Sequence, residues 1–161
     1  MKQGTISIAV GCHSVIHSVL VLLAWRRLYK RWPRAWEVVC IFIHDVGHWG
    51  LNYLDDVEQK KEHWKLGAKI GKWLFGQDAF DLLAGHCSTS GFPKSQLYYS
   101  DKYSWYIAPD WWLWLNTFAE PKLRMGYNRW VAVHLFKKQV RESIESGAYQ
   151  STHAMYLKRC K

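Results

Sequence analysis

Residues 41–50 read IFIHDVGHWG. Ile41, Phe42 and Ile43 form an apolar run suited to a buried helix face. The chain then delivers His44, Asp45 and His48, with Gly47 and Gly50 loosening the backbone. Burying an imidazole and a carboxylate at the end of an apolar helix costs several kcal/mol unless something pairs with them. A metal ion satisfies both groups at once. The ordinary alternative is a hydrogen-bonded His–Asp pair in the core, and the rest of the chain has to decide between the two.

Working outward, the 161 residues suit one domain over 1–161, with a core over about 7–117 and C-terminal helices over about 127–160. With 49% hydrophobic residues and eleven Trp, the chain is not a disordered one. No period of roughly 20–50 residues repeats, which excludes a solenoid. The net charge of +9 favours anionic partners. The basic residues are dispersed (Arg26, Arg27, Lys30, Arg31, Arg34; Lys122, Arg124; Lys137, Lys138, Arg141), which fits a charged pocket or rim better than a nucleic-acid-binding tail. Cys12, Cys40, Cys87 and Cys160 form no CxxC pair, so they read as reduced thiols of a cytoplasmic protein. Residues 6–25, ISIAVGCHSVIHSVLVLLAW, approach spanning length but carry His13, His17 and three serines. They are expected to form a buried helix, and no membrane partner is expected.

Helical periodicity dominates the chain, and strand-like alternation is nearly absent. Helices are expected over about 7–30, from Arg34 to about His48 with Pro33 opening the first turn, and over about 58–75 up to Gly76. Asp78 is expected to cap a short helix to Gly85, HCSTSGFP to form a loop, and Ser95 to cap a helix that contains Asp101. Pro109 and Asp110 restart the chain into WWLWL, which is too apolar to leave in water and suits the core or a subunit interface, so a homo-oligomer is a candidate. A helix over about 128–146 and a short one over 150–159 complete an all-α bundle.

His13, His17, His44, Asp45, His48, His63, His86 and Asp101 are eight nitrogen or oxygen ligand candidates, spread over several expected helices. None forms a local metal motif. A site assembled from distant helices is what a metal centre in a bundle core requires.

A His near the start of one helix, the His44-Asp45 doublet on the next, and a later Asp in SDKYS resemble the HD-domain metal-dependent phosphohydrolase superfamily over roughly residues 10–115. The stretch SDKYSWYIAPDWWLWL is similar to small phage and bacterial HD proteins, which include phage deoxynucleoside triphosphohydrolases. The resemblance implies a divalent ion (Mn, Zn, Co, Mg or Fe) held by His13, His44, Asp45 and Asp101. His13 lies 20 residues before Pro33 and 31 before His44, which suits the family layout better than His17, the alternative first ligand one turn on. EHWKLGAKI and AGHCSTSGFPKS are similar to regions of HD-GYP-type members that bind a second ion. His63 and His86 are therefore candidates for that ion, with Asp45 bridging. Cys87 stands where those members carry a paired His, and SGFP only approximates their Gly-Tyr-Pro.

Several single-metal members place a Glu three residues after the doublet Asp, where this chain has His48. His48 is the expected general acid or base beside Asp45. Lys65, Lys102 and His86 are expected to hold substrate oxygens, with Lys69 and Lys94 nearby. The function implied is metal-dependent phosphohydrolysis of a nucleotide: a dNTP, an NTP or a nucleoside monophosphate. A cyclic mono- or dinucleotide phosphodiesterase is the alternative within hydrolases. A di-iron oxygenase and a non-catalytic nucleotide- or partner-binding HD-fold protein are the alternatives outside them.

Overall fold

The computed structural model describes residues 10–11, 13–49, 61–119 and 127–146. Their secondary structure is seven α-helices and one 3-10 turn, with no strand among the described residues. The helices are α1 (Val15–Tyr29), α2 (Ala35–Ile43), α3 (Trp64–Phe75), α4 (Gln77–Ala84), α5 (Gln96–Ile107), α6 (Asp110–Ala119) and α7 (Arg129–Glu145). The 3-10 turn, Val46–His48, lies between α2 and α3. The architecture is all-α, as the periodicity predicts. The expected helix over 150–159 and its stop at Gly147 lie outside the described residues.

Helix α1 starts where Ser14 accepts a hydrogen bond from the His17 N–H at 3.1 Å. It ends at Lys30, whose left-handed backbone (φ 56°) sends its N–H to the Arg26 carbonyl. Its buried side chains serve three apolar clusters. Val21 and Trp25 pack with Cys40, Ile41, Trp64 and Leu83. Ala24 and Leu28 pack with Tyr98, Tyr103, Val140 and Ile144. Leu20 joins Trp112, Leu113 and Val133. A helix shared by three clusters is the axle of the bundle. It packs most extensively against α5, as α3 does against α4.

Three boundaries differ from the sequence expectation. Helix α2 stops at Ile43, because the chain tightens into a 3-10 turn in which the His48 N–H reaches the Asp45 carbonyl at 2.9 Å. Asp78 sits inside the first turn of α4, and Gly76, with φ 85°, holds the capping position. Ser95 does stand at the start of α5 but caps nothing there; its hydroxyl donates to Leu82 O at 2.7 Å and ties the 86–95 loop back onto α4. In the WWLWL run Trp112 and Leu113 are buried, whereas Trp111 is exposed. Among the described residues no helix is long and apolar enough to cross a membrane.

Two glycines let the turn after α2 press against α3. A methyl group on Gly47 would lie 1.9 Å from the His63 carbonyl oxygen, and one on Gly67 would lie 2.7 Å from Ile43 O. Both obstacles are backbone atoms with no freedom to swing aside. Only hydrogen side chains allow this approach, which brings His63 beside Asp45 and His48.

Candidate metal centre

Asp45 is the hub of the site. It is buried, and its two carboxylate oxygens face different sets of imidazoles. Oδ2 lies 3.2 Å from His44 Nε2 and 3.9 Å from His17 Nε2. Oδ1 lies 3.3 Å from His63 Nε2, 3.4 Å from His86 Nε2 and 3.9 Å from His48 Nε2. His63 Nε2 and His86 Nε2 face each other at 3.0 Å. All five histidines are buried.

Each elements' contribution has a local cause. His17 sits on the inner face of α1, its ring stacked on Trp105 of α5 at 4.7 Å between centroids. His44 follows the last residue of α2, where the helix end points its ring inward. In a 3-10 turn residues three apart eclipse one another, so His48 returns over Asp45. There its ring stacks on His63 at 4.5 Å. His63 precedes α3, which packs against this turn, and His86 lies just beyond α4, which packs against α3.

The donor chemistry fits metal ions. His44 Nδ1–H donates to Ile41 O at 2.6 Å, and His86 Nδ1–H donates to Leu83 O at 2.5 Å. A ring that gives its Nδ1 proton to a backbone carbonyl presents Nε2 as its free ligand atom, which is how metal-bound imidazoles are commonly oriented. His44 Nε2 is buried and makes no hydrogen bond, although it faces Asp45. Two ligand atoms that share one ion at ~2.1 Å sit about 3.0 Å apart at right angles and about 3.4 Å apart tetrahedrally. Most of the separations around Asp45 fall near that range. Two groups, His17–His44–Asp45 and Asp45–His48–His63, each offer ligand atoms lying within 4.8 Å of one another. These buried His and Asp side chains could hold a metal ion.

Charge is balanced unequally across the hub. Burial opposes a proton on His44, yet the Asp45 carboxylate beside it lifts its pKa to about 9. Burial likewise opposes a charged Asp45, and His44, His63 and His86 hold it well below the usual carboxylate range. His86 moves the other way: burial outweighs Asp45 and keeps its imidazole neutral below the ordinary value. Asp101 lies 3.1 Å from His17 Nε2 and accepts from Lys102 Nζ at 2.7 Å. Against its burial, Lys102 and His17 hold its carboxyl far below the usual range.

Several expected roles change place. His13 stands outside both ligand groups, because α1 begins only at Val15 and His13 belongs to the turn before it. Its ring lies 6.2 Å from His48, and its carbonyl accepts the Trp49 indole N–H at 3.4 Å. His17 takes the place beside His44 and Asp45. The 3-10 turn folds His48 over Asp45, within one of the two ligand groups. His86 is turned toward Asp45 and His63. Lys65 points to solvent and pairs with Glu62, so it does not reach the site. Asp101 lies outside both groups and meets them through His17. Lys102, with a third of its side chain exposed, remains at the edge of the site through Asp101.

The signal that could have chosen His17 was the Ser14 cap, since a capping Ser three residues before a His fixes where the helix begins. Cys87, in the place of a paired His, is a buried free thiol 3.1 Å from the Thr89 hydroxyl. No family model, curated protein or solved structure matches the chain. The geometry is compatible with an HD-like fold, and that compatibility rests on the helices and the buried His/Asp cluster.

Proposed function

We propose that the chain is a metal-dependent phosphohydrolase of HD type that acts on a nucleotide, with Asp45 and the histidines around it as the residues that would hold two divalent ions. One observation carries this reading: a single buried carboxylate offers one oxygen to His17 and His44 and the other to His48, His63 and His86. A purely structural His–Asp pair has no use for five imidazoles around one carboxylate.

Divalent ions bound there would supply Lewis acidity, lowering the pKa of a water toward neutral and drawing charge from phosphoryl oxygens. The remaining work falls to the chain. His44 and His86 hold their ligand nitrogens in place through their backbone hydrogen bonds. Lys102 neutralises Asp101 and, at the rim, is placed to exchange that partner for a substrate phosphate oxygen. Trp105 fixes the His17 ring by stacking. The basic surplus of the chain favours an anionic substrate.

Cyclic dinucleotide phosphodiesterase activity is the second reading, favoured by the close approach of His63 and His86 on the Oδ1 side. A screen of dNTPs, nucleoside monophosphates and cyclic dinucleotides with Mn2+, Co2+ or Mg2+ decides between them. Product analysis and metal counting complete the test. The expected result is turnover of one class with two ions per chain, abolished in Asp45→Ala. No turnover above the Asp45→Ala control, with metal bound, would leave a binding protein. Two irons with an O2-dependent spectrum would point to an oxygenase.

A further inference from the structure

Helix α3 carries a feature that the metal centre does not use. Trp64, Gly67, Ala68 and Gly71 are buried and share one side of the helix. Away from them, Lys65, Lys69 and Lys72 follow at four- and three-residue spacing and make a stripe along the axis. Beside that stripe Leu66, Ile70 and Trp73 repeat the same spacing, and Leu74 widens it at the C-terminal end. Trp73 is 83% exposed, the highest value among the described large hydrophobic residues, and Leu66, Leu74 and Phe75 are exposed too. The apolar arc of α3 is therefore wider than the core covers.

We propose that this outward face of α3 docks the protein on an anionic membrane surface. A lysine stripe along the border of an apolar strip lets ammonium groups reach lipid phosphates while the apolar side chains enter the headgroup boundary. Trp is the residue best suited to that boundary. Lys72 rests its ammonium 5.4 Å over the Phe80 ring of α4 and would have to swing outward to reach a lipid phosphate. Lys65 is partly offset by Glu62. Asp78 and Asp81 of α4 do not intrude, for they line a cleft with Trp36 and Phe92 that includes no α3 residue.

Other occupants fit less well. A two-fold contact between copies of the chain would set lysine stripe against lysine stripe. Nucleic acid offers phosphates but nothing for Leu66, Ile70 and Leu74 to bury against. A membrane surface supplies both chemistries without any helix crossing it. This inference is independent of the metal reading.

The test is co-sedimentation of the full chain with phosphatidylcholine vesicles, with and without phosphatidylserine. Binding is expected only to the anionic vesicles. Trp73→Ser and the pair Lys69→Glu/Lys72→Glu should each weaken it by about tenfold. A charge-matched pair on α7, Lys138→Glu/Arg141→Glu, should weaken it by less than about threefold. All these side chains are exposed or at the surface, and circular dichroism checks that each variant keeps its helices. The proposal is overturned by absent binding to anionic vesicles, or by equal losses from the α3 and α7 pairs, which would mean that net charge alone is read. A dimer that dissociates in Trp73→Ser would overturn it in favour of self-association.

Discussion

The two sides of Asp45 are built on different principles. On the Oδ2 side His17 and His44 come from the body and end of long helices packed into the apolar core, with Asp101 and Lys102 supplying charge from α5. On the Oδ1 side His48, His63 and His86 come from a 3-10 turn and two helix ends, and every group but the shared carboxylate is an imidazole. One side is held by burial of neighbouring apolar residues. The other is held by backbone meeting backbone where Gly47 meets His63, while Gly67 presses on Ile43 and His44 at the Oδ2 side. The lesson is that the Oδ1 side has no slack at Gly47.

The sharpest way to break this contrast is Gly47→Ala. Its added methyl meets the His63 carbonyl oxygen, so the turn and α3 must separate. Stability should fall by about 3 kcal/mol in denaturant titration, and the Oδ1 ion should be lost. An unchanged melting curve would show that the close approach is not needed.

If two ions bind as proposed, a smaller effect separates them. His63→Ala should reduce bound metal from two to one per chain while leaving the Oδ2 side filled, and His17→Ala should do the converse. Metal counting after gel filtration checks this. If either variant loses both ions, the sides are one cooperative unit.

The smallest effect is electrostatic. In metal-free protein His44, lifted to about 9 from an ordinary 6.5, adds stability that is fully present below pH 6.5 and lost as pH rises through 9. Thermal melts of the metal-free chain should therefore decline over that window, and His44→Gln should flatten the decline. His86, shifted downward, needs no such proton. Metal binding at His44 should therefore release a proton at neutral pH that binding at His86 does not, a difference that calorimetry in buffers of unequal ionisation enthalpy resolves.

Much of the Oδ2 side was legible in the sequence. Helical periodicity gave the all-α class, and the doublet His44-Asp45 after an apolar run marked the hub. Asp101 was read as a ligand of the ion, whereas it meets the hub through His17. The choice between His13 and His17 depended on where α1 begins, a question of one turn that family spacing could not settle and the Ser14 cap does. The Oδ1 side was less legible. His48 reads as continuing α2, and only the tightening after Ile43 brings it over Asp45. His63 and His86 were named as candidates from resemblance, but the contact that unites them with His48 depends on missing side chains at Gly47 and Gly67. Sequence patterns report side chains that are present; they say little about where one backbone will touch another.

Helix α1 has one more consequence. It feeds all three apolar clusters and also carries His17, so the same burial that folds the bundle sets one wall of the site before any ion arrives. An ion need not template the chain, and its departure need not unravel it. Were a metal bound as proposed, exchange for another would then proceed in the folded protein. The ion the centre works with would be decided by which metals surround it and how readily five nitrogens accept them.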